Sequence, residues 1–177
     1  MITADEFKTL ARPVSIHMDE KEVMQFVDEC EDMFIIPAIG YGNFKAALTE
    51  STFDATFNAT FNPTLLIEGG EWEDKDACGC EKRKVLRYCK GLKATLAYYV
   101  YAKMLRSDGS IISRAGFVRH NDEYASHVDD GMRQYNDVMN IADKYMGDCL
   151  AYMRKHTVDK VITPLHTSRA RIKAIGD

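Results

Sequence analysis

Three cysteines come closest to the spacing of a metal site. Cys78 and Cys80 are separated by one residue, and Cys89 follows further along the chain. Structural zinc sites usually use four ligands, with about two to four residues between paired cysteines. The spacing is therefore unfavourable and a fourth ligand is not close in sequence, so we predict no cofactor. The alternative is a small metalloenzyme or zinc-stabilised module, which would lose its zinc when Cys78, Cys80 and Cys89 are replaced. With Cys30 and Cys149 the total is 5, an odd number that argues against a complete disulfide framework and fits a reducing compartment.

Two histidines suggest a second kind of chemistry. His120 and His127 flank Asp122 and Glu123, and on one helix they would lie near the same face, as a metal or acid–base site requires. However, Asn121 or Asp122 is expected to cap a helix here, which would leave His120 outside it. We therefore interpret this group as the solvated start of a helix.

Motifs with a catalytic mechanism do not occur in the sequence. The glycines of Gly40-Tyr-Gly42 lack the third glycine and the lysine of a phosphate-binding loop. Nucleophile elbows and zinc-protease signatures are also missing. We predict that the protein is not an enzyme, and the sequence nominates no catalytic residue.

Composition predicts one globular domain with arms. The chain has 177 residues, 46% hydrophobic and 28% charged, which allows a sizeable core without disulfides. The first residues, Met1 to Glu6, do not resemble a secretory signal. The longest apolar run, Ala94 to Ala102, is far shorter than the roughly 20 residues of a membrane span, so a membrane partner is not expected.

The C-terminal end carries a charge opposite to that of the rest. Residues 154–177 hold six basic residues (Arg154, Lys155, Lys160, Arg169, Arg171 and Lys173) and two acids, a charge of +4, which leaves −8 on the remainder. We divide the chain into a helical domain, residues 1–155, and a basic C-terminal arm, residues 156–177. Apolar residues such as Ile172 and Ile175 alternate with the charged residues, and they would make no favourable contact with phosphate groups. A neighbouring copy is therefore the favoured binding target of the arm. The alternative is a nucleic-acid-binding regulator that uses this arm, with salt-sensitive binding.

The hydrophobic pattern predicts a mainly α-helical bundle with two long helices. Thr3 and Glu6 form a capping box for a short first helix, and Asp19 precedes an amphipathic helix that Pro37 is expected to end. A first long helix is predicted from Val85 to Met104, and a second from about residue 122 to 155. Between them, residues 110–119 are predicted to form one strand, or a strand pair bent at Gly116.

A threonine–phenylalanine repeat lies in an insertion at about residues 50–70. Three tetrads cover residues 52–63, and their period of two would place Phe53, Phe57 and Phe61 on one face of an extended chain. We predict an extended loop or hairpin arm, because threonine, asparagine and aspartate are poor helix formers. The phenylalanines would then form an adhesive surface, or alternatively fold onto the body.

Three runs of the sequence resemble a known family. They are Asp28-Glu-Cys-Glu-Asp-Met-Phe-Ile-Ile-Pro-Ala-Ile-Gly40, the segment from Gly91 to Arg106, and Ser113-Arg-Ala-Gly-Phe-Val-Arg-His-Asn-Asp-Glu-Tyr-Ala-Ser-His127. The residues of these runs and their order along the chain resemble those of a family of tailed bacteriophages, the small helical head-tail connector, or head-completion adaptor, proteins. The resemblance is to members from phages of Bacteroides-type bacteria in particular. The likeness covers about residues 1–155, and the threonine–phenylalanine repeat and the length of the basic arm depart from it.

The resemblance implies a structural virion protein at the head-tail junction, made in the host cytoplasm. Such proteins form a ring, commonly of about twelve copies, beneath the portal protein, and genomic DNA passes through the ring without sequence specificity. The partners would be other copies, the portal and an adjacent connector or tail protein. From the residues, the candidate contacts are Phe53, Phe57, Phe61, Tyr98, Tyr99, Tyr101, Arg169, Arg171 and Lys173.

Overall fold

Seven α-helices, one π-helical turn and two small hairpins make up the described part of the chain. The computed structural model describes residues 1–12, 19–49, 57, 60–75, 84–107, 110–113, 116–119 and 131–156. The elements are α1 (Ala4–Leu10), α2 (Glu20–Cys30), a π-turn (Glu31–Ile35), α3 (Ile36–Ile39), α4 (Tyr41–Thr49), α5 (Pro63–Glu68), β1 (Gly70–Lys75), β2 (Lys84–Cys89), α6 (Leu92–Ser107), β3 (Ser110–Ser113), β4 (Gly116–Arg119) and α7 (Gly131–His156). The predicted mainly α fold with two long helices and a small β element is confirmed.

Helix α6 lies at the centre of the fold. It contacts α1, α2, α5 and α7, which agrees with its apolar residues on nearly every face. Leu92, Leu96 and Val100 are fully buried on it. The core also includes Phe7, Val23, Val27, Ile35, Leu66, Tyr152 and Met153. None of the helices in the described ranges is long and apolar enough to cross a membrane.

The N-terminal caps form as the sequence predicts. The backbone N–H of Glu6 donates to Thr3 Oγ1 at 3.2 Å, and the N–H of Thr3 donates to Glu6 Oε2 at 2.9 Å. The Asp19 carboxylate accepts the N–H of Lys21 at 3.0 Å. These caps satisfy amides that the first turn of each helix leaves without partners.

Pro37 does not end the second helical segment, contrary to our prediction. The chain stays helical through the π-turn and α3. This helical segment ends at Gly40, which has φ 83°. The N–H of Ile36 bonds to the carbonyl of Glu31, five residues back. This wider turn shifts the hydrogen-bond register just before the proline, which has no N–H to donate and would clash with a regular preceding turn.

The predicted start of the first long helix is also wrong. Residues 84–89 form β2, which pairs antiparallel with β1, with Trp72 opposite Arg87. The helix begins only at Leu92, after Gly91 with φ 85°. Cys89 fits the helical spacing, but it lies in β2 and its side chain is buried there. Gly91 changes the direction of the chain between β2 and α6. Residues with high strand propensity in β2, such as Val85 and Tyr88, were the signal for this outcome.

Residues 110–113 and 116–119 form a strand pair, which was the second of the two arrangements predicted for this segment. β3 and β4 pair antiparallel, with Ser110 opposite Arg119, and β4 begins at Gly116. Helix α7 continues without interruption through Gly147. The predicted start of this helix near residue 122, with His120 and His127, lies outside the described residues.

Candidate interaction surface

The β1–β2 hairpin packs one face against α7, and the buried carboxylate of Asp74 forms ion pairs with both elements. Asp74 is 5% exposed. Its Oδ2 lies 2.6 Å from Arg87 Nε, and its Oδ1 lies 2.8 Å from Lys155 Nζ. The hydrogen bond from Lys155, with the charges of Lys155 and Arg87, lowers the pKa of Asp74, although burial acts in the opposite direction. One carboxylate therefore joins β1, β2 and the end of α7.

An aromatic cluster extends this contact to the last turn of α7. The Trp72 ring lies edge-on to Tyr152, with ring centres 5.4 Å apart, and to His156 at 5.8 Å. Tyr152 is almost completely buried. Its hydroxyl accepts the backbone N–H of Asn62 at 2.8 Å and donates to the carbonyl of the same residue at 3.3 Å. The hairpin and the start of α5 are thus fixed to the same turn of α7.

Two phenylalanines of the threonine–phenylalanine repeat join this cluster. Phe61 stacks on Tyr152 with ring centres 5.6 Å apart, and Phe57 stacks on Phe61 at 4.1 Å. Both are partly buried against the core. At these two positions the repeat folds onto the body, which was the second arrangement considered for it. Phe53 lies outside the described residues.

The other face of the hairpin is exposed and partly apolar. Side chains alternate between the two faces of a strand, so Glu71, Glu73, Leu86 and Tyr88 lie opposite the face that holds Trp72, Asp74, Arg87 and Cys89. We call these four residues the outer hairpin face. Leu86 is 63% exposed and Tyr88 is 55% exposed. Neighbouring apolar side chains rimmed by charges are typical of protein interaction sites.

A shallow cleft runs between the hairpin and α7. It has a volume of about 210 Å³ and is lined by Trp72, Arg87, Tyr88, Asp148 and Ala151. Small-molecule sites usually measure about 300–1,000 Å³ and are mostly enclosed. The cleft is smaller than a typical small-molecule site.

The three candidate tyrosines of α6 have different surroundings. Tyr99 is 3% exposed, stacks on Phe34 with ring centres 4.3 Å apart, and donates its hydroxyl hydrogen to Asp143 Oδ1 at 2.9 Å. Burial and the neighbouring Asp143 carboxylate raise the pKa of Tyr99. Tyr98 and Tyr101 are only partly buried. Tyr99 therefore belongs to the subunit core, and the other two keep surface that a partner could contact.

The described cysteines are buried as thiols. Cys89 and Cys149 lie with their sulfurs 3.3 Å apart. The hydrogen bond between these two thiols lowers the pKa of Cys89 and, together with burial, raises the pKa of Cys149, while burial raises the pKa of Cys30 to about 12. The raised pKa values of Cys149 and Cys30 disfavour the thiolate that metal binding needs. The described ranges contain no group of three or more histidine, cysteine, aspartate or glutamate side chains arranged to hold a metal, and Cys78 and Cys80 lie outside them.

The structure brings together a surface that the sequence did not identify. Arg169, Arg171 and Lys173, the basic candidates of the C-terminal arm, lie outside the described residues. The outer hairpin face was missed because β2 was assigned to a helix. The strand propensity of Val85 and Tyr88 was the available signal, because β-branched and aromatic residues are enriched in strands.

The described part of the chain is a mainly helical fold with an exposed, partly apolar hairpin. The chain belongs to DUF6712, a family of unknown function, whose sequence model matches residues 37–159. No curated protein and no solved structure matches the chain. The matched range contains the hairpin, α6 and α7, so the candidate surface lies within the part of the chain that defines the family.

Proposed function

We propose that this protein is a structural, non-enzymatic component of a tailed-phage virion that forms a ring at the head-tail junction. The ring, of about twelve copies in the proteins it resembles, would sit beneath the portal and continue the DNA channel. The observation that supports this proposal best is the outer hairpin face, where Leu86 and Tyr88 are exposed on a hairpin fixed rigidly to the body.

A ring imposes a specific requirement on the surface of each subunit. Every copy repeats one heterologous contact, so it needs two different patches that complement each other. The outer hairpin face supplies one patch, in which the apolar Leu86 and Tyr88 of β2 lie beside the acids Glu73 and Glu71 of β1. The basic C-terminal arm supplies a patch of opposite charge. Tyr98 and Tyr101 add partly exposed aromatic area with polar tips, which protein interfaces favour.

The charge distribution fits a channel through which DNA slides. The chain outside residues 154–177 has a charge of −8, and several of its acids, including Glu20, Glu22 and Asp28, are exposed along α2. Acidic walls would repel the phosphate backbone and prevent DNA from adhering. DNA would therefore be a passing partner without sequence-specific contacts.

Electron microscopy of the purified full chain, alone and with the portal protein of the same phage, tests this function. We expect closed rings, or single subunits that assemble into a ring on the portal. Replacing Leu86 and Tyr88 by serine should abolish ring formation, because it removes the exposed apolar patch without touching the core. The matched control is Leu48→Ser, which alters a 49% exposed leucine on α4.

Two outcomes would count against the function. A wild-type chain that neither forms rings nor joins the portal would refute it. Tight, salt-sensitive binding to duplex DNA that depends on Arg169, Arg171 and Lys173 would favour the nucleic-acid-binding regulator instead.

A further inference from the structure

The C-terminal arm starts next to the hairpin. Lys155 Nζ lies 2.8 Å from Asp74 of β1, and the His156 ring lies 5.8 Å from Trp72. Residues 157–168 can span at most about 40 Å when fully extended. A strand of six residues, such as β1 or β2, is only about 20 Å long. The basic residues 169–173 are therefore within reach of the hairpin of their own subunit and of one packed beside it.

The arm and the outer hairpin face have complementary chemistry. The face combines the apolar Leu86 and Tyr88 with the exposed acids Glu71 and Glu73. It also has a cation at its edge, Lys90, whose Nζ lies 5.6 Å from the centre of the Tyr88 ring. The arm combines its basic residues (Arg169, Arg171 and Lys173) with the apolar Ile172 and Ile175. Both partners thus offer apolar area, and Glu71 and Glu73 of the face are opposite in charge to the three basic residues of the arm.

We infer that the C-terminal arm of one copy covers the outer hairpin face of a second copy. This inference rests on the proposed function, because a closed ring needs two complementary patches on every subunit. Docking within one subunit would occupy both patches and leave neither for the next copy. Docking between copies instead repeats the same contact from subunit to subunit and buries Leu86 and Tyr88 at each interface.

Two full-length charge-reversal variants separate docking between copies from docking within one. The hairpin variant carries Glu71→Lys and Glu73→Lys, so both its hairpin and its arm are basic. The arm variant carries Arg169→Glu, Arg171→Glu and Lys173→Glu, so its arm brings acids to Glu71 and Glu73 of the face. Each variant alone should self-associate at least about tenfold more weakly than the wild type, since like charges face each other. An equimolar mixture should recover association, because each arm then meets a hairpin of opposite charge on the other variant.

Sedimentation velocity of the separate and mixed variants gives the readout. A mixture that stays as dissociated as its components would mean that the arm binds its own subunit, and it would overturn the inference. Variants that associate as strongly as the wild type, or a wild type that remains monomeric at all concentrations, would overturn it as well. Thermal unfolding should show that both variants remain folded. Should the hairpin variant fail to fold, the neutral pair Glu71→Gln and Glu73→Gln should still weaken association, by a smaller factor.

The result is distinguishable from failure of the proposed function. Charge-dependent association that the mixture restores, in oligomers that never attach to the portal, would support the arm contact and refute the connector role. Rings that join the portal equally well with either variant would support the connector role and refute the arm contact.

Discussion

Asp74 shows how one residue positions the candidate surface. A buried carboxylate is costly unless it is paired, and here the two cations come from different elements, Arg87 from β2 and Lys155 from α7. Both cations keep part of their side chains in water, so they lose little hydration when they pair. The sequence could not reveal this arrangement, because Asp74 lies in an acid-rich stretch and its partners depend on how hairpin and helix pack.

Replacing Asp74 by asparagine should lower the free energy of unfolding by about 1–2 kcal/mol at neutral pH. The cost should stay below that of breaking a fully buried pair, because Arg87 and Lys155 can regain hydration. The pKa of Asp74 is lower in the folded than in the unfolded protein. Its stabilising contribution is thus present above the unfolded pKa and lost as the pH falls through the folded pKa.

The check is urea unfolding at several pH values between about 7 and about 3, the range in which aspartates with ordinary or lowered pKa titrate. The difference in stability between wild type and Asp74→Asn should shrink steadily toward acid. Glu71→Gln, an exposed acid on the same strand, is the control and should change stability little at any pH. A difference that is equally large at both ends of the range would contradict the role assigned to the Asp74 charge.

Helix caps were predictable because they are local, whereas element boundaries that depend on packing were not. The Thr3–Glu6 capping box and the Asp19 cap need only residues within one turn. The passage of the chain through Pro37 depends on the register of the π-turn before it. Likewise, residues 85–104 contain a helical period despite the strand propensity of Val85 and Tyr88, and pairing with β1 decides that the first part of that run is a strand.

Two glycine junctions hold the base of the hairpin. Gly69 connects α5 to β1, Gly91 connects β2 to α6, and both have positive φ, 92° and 85°. A Cβ atom at Gly91 would lie 2.5 Å from the backbone nitrogen of Gly69, and one at Gly69 would lie 2.6 Å from the carbonyl oxygen of Lys90. The backbones of the two connections therefore lie so close together that neither glycine position has room for a Cβ atom.

Gly91→Ala should destabilise the protein by about 2–4 kcal/mol, because backbone strain and overpacking add at this position. The matched control is Gly147→Ala in the interior of α7, where an added Cβ meets nothing within 4 Å. That change should stabilise by about 0.5–1 kcal/mol, since alanine favours the helix more than glycine does. Thermal and urea unfolding of both variants provide the measurement. Equal effects at the two glycines would contradict the close crossing at the hairpin base.

For the whole molecule, sequence alone could not separate core residues from surface residues on α6. The helical period shows that Tyr98, Tyr99 and Tyr101 point in different directions, but it does not show which direction has a neighbour. That depends on α7 and the π-turn, which supply Asp143 and Phe34 to Tyr99. Fold class was predictable because it follows from many residues together, whereas an interaction surface depends on what remains uncovered after packing.

The tyrosines of α6 give a test that separates folding from assembly. Tyr99→Phe removes only the hydrogen bond to Asp143, so it should cost about 1 kcal/mol of stability and leave ring formation unchanged. Tyr101→Ala should cost about 1–2 kcal/mol, because the side chain is only partly buried, yet it should reduce ring yield more than Tyr99→Phe does. Urea unfolding gives the stability, and electron microscopy at a temperature where both variants are fully folded gives the ring yield. If ring yield followed stability alone, with no additional loss in Tyr101→Ala, Tyr101 would be a packing residue of the subunit rather than a contact between copies.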